Sequence, residues 1–586
     1  MSVLRLKHSI AKQLSKYTSC KDIQLLPLLR TPKQQKEGQF SLSIPKLLAT
    51  YGPDSKIQHP VSWCEKIQPD NDIQQVLAKG PNLYIHVNQL TFTRNILQQV
   101  YQEKEKYGWA DIKHSSSTPP PVVVMDYSSP NIAKPFHAGH LRSTILGNFI
   151  KRIHEIMGYK VIGINYFGDW GKQYGLLAVG FKKYGDEQLL KSNPIYHLYD
   201  VYVKINRDAK LDPNIDQQAN DYFKQMEEGD PIALSQWKTF RELSIQSYKT
   251  IYKRLNIEFE VYSGESQVNE YIPKVYDLLN EKKLLKKMED GALAVDLSSY
   301  NMDPVIIQRA DGTSLYMTRD LASILMRKEV YHFDKAIYVV GMEQQGYFQQ
   351  LFAIASLMLK PNHHHHSTAT KITSPFLHAS FGRIQGMSTR QGTAVFLQDI
   401  LDTAQLTILD YMQTKEDNSI HHVENNNMAT IADQLGISAI FIQDMKSKRN
   451  KNYQFAWDRM TDARGDTGIL LQYAHARSCG IERNARVPVT DQCDYSLLQE
   501  PMAYELIQTI SYFPEVIQSS FETLEPCTIV NYLFKLSHAT GLASHTLRVK
   551  DVDPELAKSR MLLFWAARIT MRNGLTLLGI RPLDKM

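Results

Sequence analysis

The stretch VVVMDYSSPNIAKPFHAGHLRSTILGNFIKRIHEIMGYKVIGINYF, residues Val122–Phe167, decides the fold. Its opening, Val122–Ser129, has the β-branched composition of a strand. From His140 to Met157 the apolar residues Leu141, Ile145, Phe149, Ile153 and Ile156 recur at the helical period. Gly158 is suited to stop that helix, and Lys160–Phe167 reads as a second strand. Strand, loop, helix and strand make a βαβ unit, the opening of a parallel sheet.

The densest chemistry falls at the first strand-to-helix turn, Ser128–Thr144. A helix N-terminus that follows a parallel strand presents unpaired N–H groups and a positive dipole end, which suits phosphate. His137 and His140 are three residues apart, so both imidazoles can face one ligand. Gly139 between them lets a flat base approach the backbone, and Lys134 adds a point charge. A zinc site is a competing reading, but HExxH and a third ligand are absent. Purely structural histidines are another. No metal site is expected.

Further out, KHSSSTPPP (Lys113–Pro121) is a Ser/Pro cluster that neither helix nor strand interiors tolerate, so it reads as a linker. The expected domains are residues 1–115, 116–430 and 431–586, with a helical insertion near 175–260 in the second. Sheet pattern is read again at ALAVDLS, DGTSLYMTRDLAS and KAIYVVGM. The polar pieces 362–371 and 415–427, the first containing the His363–His366 run, read as surface loops. Beyond about residue 430 nearly everything has helical period.

Composition bounds the rest. The 586 residues are 43% hydrophobic and 22% charged, ordinary globular values. No apolar run approaches the ~18 residues of a membrane span, and no apolar segment of secretory type opens the chain. Five cysteines, odd in number and far apart, argue against a disulfide framework and for a reducing compartment. Residues 1–50 hold nine Lys/Arg against two acids, and residues 441–490 hold nine against five. Residues 491–530 carry seven acids and no Lys or Arg. Two separated basic regions suit a large polyanion touched in two places.

SSPNIAKPFHAGHLRSTILGNF, followed by INYFGDWGKQYGLL, closely resembles the signature region of arginyl-tRNA synthetases, which are class I aminoacyl-tRNA synthetases. The resemblance continues in the family's order through VYSGESQV, DGTSLYMTRDLA, GMSTRQGT and GDTGILLQYAHARS, and ends in NGLTLLGIRPLDKM. Within the family, the chain looks more like mitochondrial-type enzymes of animals and fungi than bacterial ones. The resemblance implies an α/β protein. It would have a Rossmann-like parallel-sheet catalytic domain, an N-terminal α+β tRNA-binding domain and a C-terminal all-α anticodon-binding domain. It also implies activation of L-arginine by ATP with Mg2+, transfer of the arginyl group to the 3′ end of tRNA(Arg), and no tightly bound cofactor.

Site residues follow from the same resemblance. His137, Gly139 and His140 match the HIGH motif at the ATP phosphates. Gly386-Met387-Ser388-Thr389-Arg390 stands for KMSKS, with Met387 and Ser388 at ATP and Arg390 in place of the second lysine. The resemblance assigns compensation to Lys134. Ser129, Asn131 and His140 are matched to the amino acid's α-ammonium and carboxylate end. Glu265, Tyr316, Asp320 and Gln344 are matched to its guanidinium, and a planar cation with five donors does need carboxylates and neutral acceptors. Tyr473, Arg477 and the terminal Met586 are matched to the anticodon. A catalytically inactive tRNA-binding paralogue is the alternative. The leading MSVLRLKHSIAKQLSKYTS reads either as a transit helix or as the first helix of the tRNA-binding domain, so mitochondrial matrix and cytoplasm are both open, and a monomer is expected.

Overall fold

The computed structural model describes residues 3–30, 32, 38–52, 62, 64, 66–110, 119–132, 136, 138–360, 374–386, 396–416, 425–457 and 465–586. Near the N-terminus, strands β1 (Phe40–Ser43), β2 (Ile73–Lys79) and β3 (Asn82–Val87) form an antiparallel sheet in the order β1-β3-β2. The Val3–Leu14 helix buries Leu6, Ile10 and Leu14, the three apolar positions of its sequence pattern, in the core of this unit. Helix α1 (Gln89–Glu103) follows, its first turn capped by the Asn88 side chain, which accepts from Thr91 N–H.

The central sheet is parallel throughout. Its strands are β4 (Val122–Asp126), β5 (Lys160–Phe167), β6 (Val261–Gly264), β10 (Lys335–Tyr338) and β11 (Phe376–His378), in the order β11-β10-β4-β5-β6. Strand β4 is covered on both sides, as a parallel strand requires. Val123 and Met125 pack with Leu141, Ile145 and Phe149 of helix α2 (Ala138–Ile156), whereas Val124 packs on the opposite face. Gly147 allows the close approach of α2: a Cβ there would lie 2.3 Å from the Tyr127 ring. Between β5 and β6 the chain leaves the sheet for five helices, the last being α3 (Pro231–Arg254).

Of the three later segments read as sheet, one starts a helix, one is a strand of a different sheet, and one joins the parallel sheet. DGTSLYMTRDLAS contains the start of a helix, α4 (Tyr316–Tyr331), because Met317, Leu321, Ile324 and Leu325 repeat at helical rather than alternating spacing and cover the Val124 face of the sheet. ALAV belongs to a separate antiparallel sheet of β7 (Leu285–Lys287), β8 (Leu293–Val295) and β9 (Val305–Gln308). KAIY alone joins the parallel sheet, as β10. Helix α5 (Gln345–Leu359) then completes that face.

The C-terminal part is helical, with α6 (Gly468–Ala485), α7 (Cys527–Thr546) and α8 (Pro554–Leu577) among its elements. The N-terminal unit docks onto it. Tyr107 is fully buried, donates to the Ile510 carbonyl at 2.9 Å and stacks on Phe513, and Lys7 pairs with Glu515 at 2.6 Å. Part of the acidic 491–530 segment is thus consumed by an internal contact with the basic N-terminal region.

Candidate active site

The sheet order changes direction at β4: the chain moves outward through β5 and β6, then returns to place β10 on the other side. A crevice forms outside the carboxyl ends of such strands, where ligands of open α/β sheets bind. The turn leaving β4 there is unusual. Ser128 and Ser129 both have positive φ, 72° and 45°, a region costly for residues with a Cβ. A hydroxyl network holds them. Ser128 N–H donates to Ser143 Oγ at 2.9 Å, and Ser128 Oγ lies 2.7 Å from both Tyr252 Oη and Thr144 Oγ1. Ser129 Oγ donates to Asp126 Oδ1 at 2.7 Å and accepts from Tyr166 N–H.

Asp126 is itself fixed by a buried cation. Arg327 of α4 is 1% exposed and reaches the other Asp126 oxygen at 2.7 Å, its guanidinium lying over the Tyr166 and Tyr338 rings. Asn131 sits beyond the turn, bridged to Gly168 at the end of β5, with its backbone carbonyl accepting from Tyr248. Gly139 and His140 occupy the first turn of α2, with the His140 ring 5.4 Å from that of Phe136. A helix that starts after the carboxyl end of a parallel strand sets its N-terminus at that end of the sheet, an arrangement suited to anionic oxygens.

Two carboxylates define the other end. Glu265 follows β6 directly, and Asp320 lies in the second turn of α4. Burial pushes the Glu265 carboxyl up to about 7, with Arg319 opposing and the charges of Asp320 and Asp169 adding. Burial likewise pushes Asp320 up to about 6, opposed by a hydrogen bond from Tyr347 and by Arg327. Two acids so raised form a site short of one positive charge. Gln344, at the head of α5, is exposed; so is Tyr316, at 78%.

Sequence reasoning missed several residues that build this pocket. Asp169, fully buried in the quoted GDWG, takes Arg241 Nε at 2.6 Å and Ser266 N–H at 2.9 Å, which fixes the turn carrying Glu265. A Cβ on Gly264 would fall 2.2 Å from the Asp169 carboxylate, so glycine is required for that contact. Tyr166 and Tyr347 also line the carboxylates; each stood inside or beside a motif already recognised. Lys134, His137, Met387, Ser388, Arg390 and the His363–His366 run lie outside the described residues.

In the helical part, Tyr473 is half exposed and Arg477 partly buried on one face of α6. They border a groove of about 340 Å3 against α7, lined there by His538, Leu542, Ser544 and His545. The C-terminal tail is clipped to α6. Gln472 donates to the Arg581 carbonyl and accepts from Leu583 N–H, both at 2.8 Å, and Met586 ends 37% exposed. His475, Cys479 and Asp584 come together here, the one grouping of metal-ligand type among the described residues. It does not suit a cation, since His475 Nδ1 is engaged by the Leu583 carbonyl and Arg572 faces Asp584.

Parallel catalytic sheet, anion-suited helix start and helical C-terminal domain together are the architecture of a class I aminoacyl-tRNA synthetase. The family model described as the class I (R) tRNA synthetase catalytic domain matches residues 97–457, and the DALR anticodon-binding domain matches residues 471–586. The chain is 42% identical to a probable cytoplasmic arginine–tRNA ligase of Dictyostelium discoideum, covering 99% of this chain and all of that protein. It is 40% identical to the mitochondrial arginine–tRNA ligase of Saccharomyces cerevisiae, covering 100% and 89%. Among solved structures, the arginyl-tRNA synthetase of Thermus thermophilus shares the fold with a TM-score of 0.77 at 19% identity, over 99% of both chains. The chain belongs to the class I arginyl-tRNA synthetases.

Proposed function

We propose that the protein activates L-arginine with ATP and transfers the arginyl group to the 3′ end of tRNA(Arg), as an arginine–tRNA ligase. Its relatives carry that name at about 40% identity over the whole chain, and nothing favours an inactive paralogue. The observation that carries the reading is the pocket at the switch point: two raised carboxylates, Glu265 and Asp320, within one crevice of the strained Ser128–Ser129 turn and the start of α2.

In the first step the arginine carboxylate attacks the α-phosphorus of ATP in line, forming arginyl-adenylate and releasing pyrophosphate. The residues hold two anions together and stabilise charge on the transferring phosphate. Asp320 and Glu265 take the guanidinium, with Gln344 and Tyr316 as neutral partners. Ser129 and Asn131 orient the α-ammonium and carboxylate end. His140 and Gly139, with His137, Lys134, Met387, Ser388 and Arg390, serve the nucleotide. ATP enters with Mg2+ as one substrate. In the second step the 2′-hydroxyl of the terminal adenosine attacks the adenylate carbonyl, and AMP leaves.

Tyr473, Arg477 and Met586 are proposed at the anticodon, an aromatic face beside a guanidinium being suited to an unpaired base. The protein acts as a monomer in translation, in the mitochondrial matrix or the cytoplasm. Relatives of both kinds match, and no described helix is long and apolar enough to cross a membrane. Imaging a fusion with and without residues 1–20 distinguishes the two locations.

Lysine carries the same charge as arginine but not the planar fork, and it leaves acceptors unpaired; sites that hydrogen-bond their substrate reject such analogues by ~10⁴–10⁵. The test is tRNA charging with arginine, canavanine and lysine by wild type and Asp320→Asn. Strong arginine charging, weaker canavanine charging, negligible lysine charging and a crippled mutant are expected. Comparable lysine and arginine use, or an unimpaired mutant, would remove the pocket assignment.

A further inference from the structure

The two acids of the proposed arginine pocket do not stand alone. Tyr347 lies one turn after Gln344 on α5, and its hydroxyl donates to Asp320 Oδ2. That bond engages one oxygen of the carboxylate and leaves Oδ1 without a hydrogen-bond partner among the described residues. Tyr166, the penultimate residue of strand β5, approaches from the sheet side. Its ring carries the Arg327 guanidinium at 5.0 Å, while its hydroxyl oxygen is buried and makes no hydrogen bond among the described residues. A buried phenol oxygen left without a partner, under the influence of the Asp320 and Glu265 charges, calls for an explanation, because nearly all such groups are satisfied.

A guanidinium supplies the missing partners. It offers five N–H donors in one plane, more than two carboxylates can accept in good geometry. A neutral acceptor near the acids takes a donor without adding another negative charge. We propose that Tyr166 and Tyr347 complete the arginine site, Tyr166 accepting a guanidinium N–H at its hydroxyl oxygen and Tyr347 acting as a positioning residue that locks the Asp320 carboxylate. This rests on the arginine reading of the pocket given above and names two specificity determinants that reading did not include.

Burial and the neighbouring acids hold both phenols well above their ordinary titration range, so each keeps its proton at neutral pH. Tyr347 therefore stays a donor, and its donation favours the ionised form of Asp320. The charged and titratable groups facing Asp320 are Tyr347, Arg327, Asp126, Tyr166, Tyr338 and Glu265. Removing only the Tyr347 hydroxyl changes one of these and leaves the charges in place.

The experiment is tRNA-supported ATP–pyrophosphate exchange by full-length Tyr166→Phe, Tyr347→Phe and Asp320→Asn, with arginine KM and kcat measured from pH 6 to 8. Tyr166→Phe should raise the arginine KM about 3–10-fold with kcat and ATP KM within two-fold of wild type, the loss expected for one neutral hydrogen bond. Tyr347→Phe should raise it about 10-fold or more, since its partner is charged, and should also move the acid limb of the KM profile to higher pH. A purely structural role would lower kcat and raise ATP KM together without moving that limb. Wild-type arginine KM and an unmoved limb in both phenylalanine variants, beside a crippled Asp320→Asn, would overturn this inference alone. An unimpaired Asp320→Asn would overturn the arginine reading and this inference with it.

Discussion

Arginine recognition should be lost on the acid side of neutrality, by an amount that the pocket sets. Glu265 is pushed up to about 7 and Asp320 up to about 6, in both cases chiefly by burial. Arginine remains a cation throughout, and it pairs with the ionised carboxylates. Binding therefore lowers both carboxyl values and expels whatever protons the pocket holds. The sign follows: affinity is nearly full by about pH 8 and falls as pH drops through 7 and then 6. If only the doubly ionised pocket accepts arginine, the arginine KM rises about 20-fold between pH 8 and pH 6 and steepens toward two protons per arginine below that. Because the acids interact, the two steps belong to the pair rather than to either residue. The assay is arginine KM by pyrophosphate exchange at saturating ATP and tRNA, supported by calorimetry in buffers of different ionisation enthalpy, which counts released protons directly. A change at the nucleotide end would register in kcat and ATP KM rather than in arginine KM. An arginine KM constant within two-fold from pH 8 to 6, with no proton release, would refute the two-carboxylate pocket.

Three further outcomes are expected. Arg327→Met leaves Asp126 buried without its cation and should cost about 3–5 kcal/mol of stability in urea titration, whereas removing both partners in an Asp126→Leu, Arg327→Met double variant should recover part of that loss. His140→Ala should leave the circular dichroism spectrum unchanged and slow adenylate formation ~10²–10³-fold, the cost of one transition-state donor; Lys134→Ala should also cut turnover, and normal turnover there shifts the phosphate role to Arg390. Arg477→Ala should raise the tRNA KM with little change in arginine KM, and wild-type tRNA binding should weaken steeply between 50 and 200 mM salt.

Much of this protein is written in local pattern. The βαβ opening was legible because strand and helix periods differ and change cleanly at Ser129, His140 and Gly158. Helix α2 and strands β4, β5 and β10 depend on that pattern. The same local logic misread DGTSLYMTRDLAS, where a short apolar run is ambiguous until the partner face is known; α4 is a helix because the Val124 side of the sheet needs a continuous apolar stripe. The motif residues at the site were likewise named from sequence, by order and resemblance rather than by contact.

Tertiary structure decided what those residues touch. Asp126 and Arg327 are 201 positions apart, Asp169 and Ser266 are 97 apart, and no spacing rule joins them. The raised carboxyls of Glu265 and Asp320 depend on burial and on each other, both properties of the assembled crevice. The basic N-terminal region looked like a second polyanion surface, yet Lys7 is paired with Glu515 across the domain contact. Sequence alone determined the elements and the kinds of side chain they carry, because propensity and period act over a few residues. Which acid meets which cation, and which phenol is left without a partner, was settled only when the sheet order brought distant loops to one end, because electrostatics and desolvation act through space rather than along the chain.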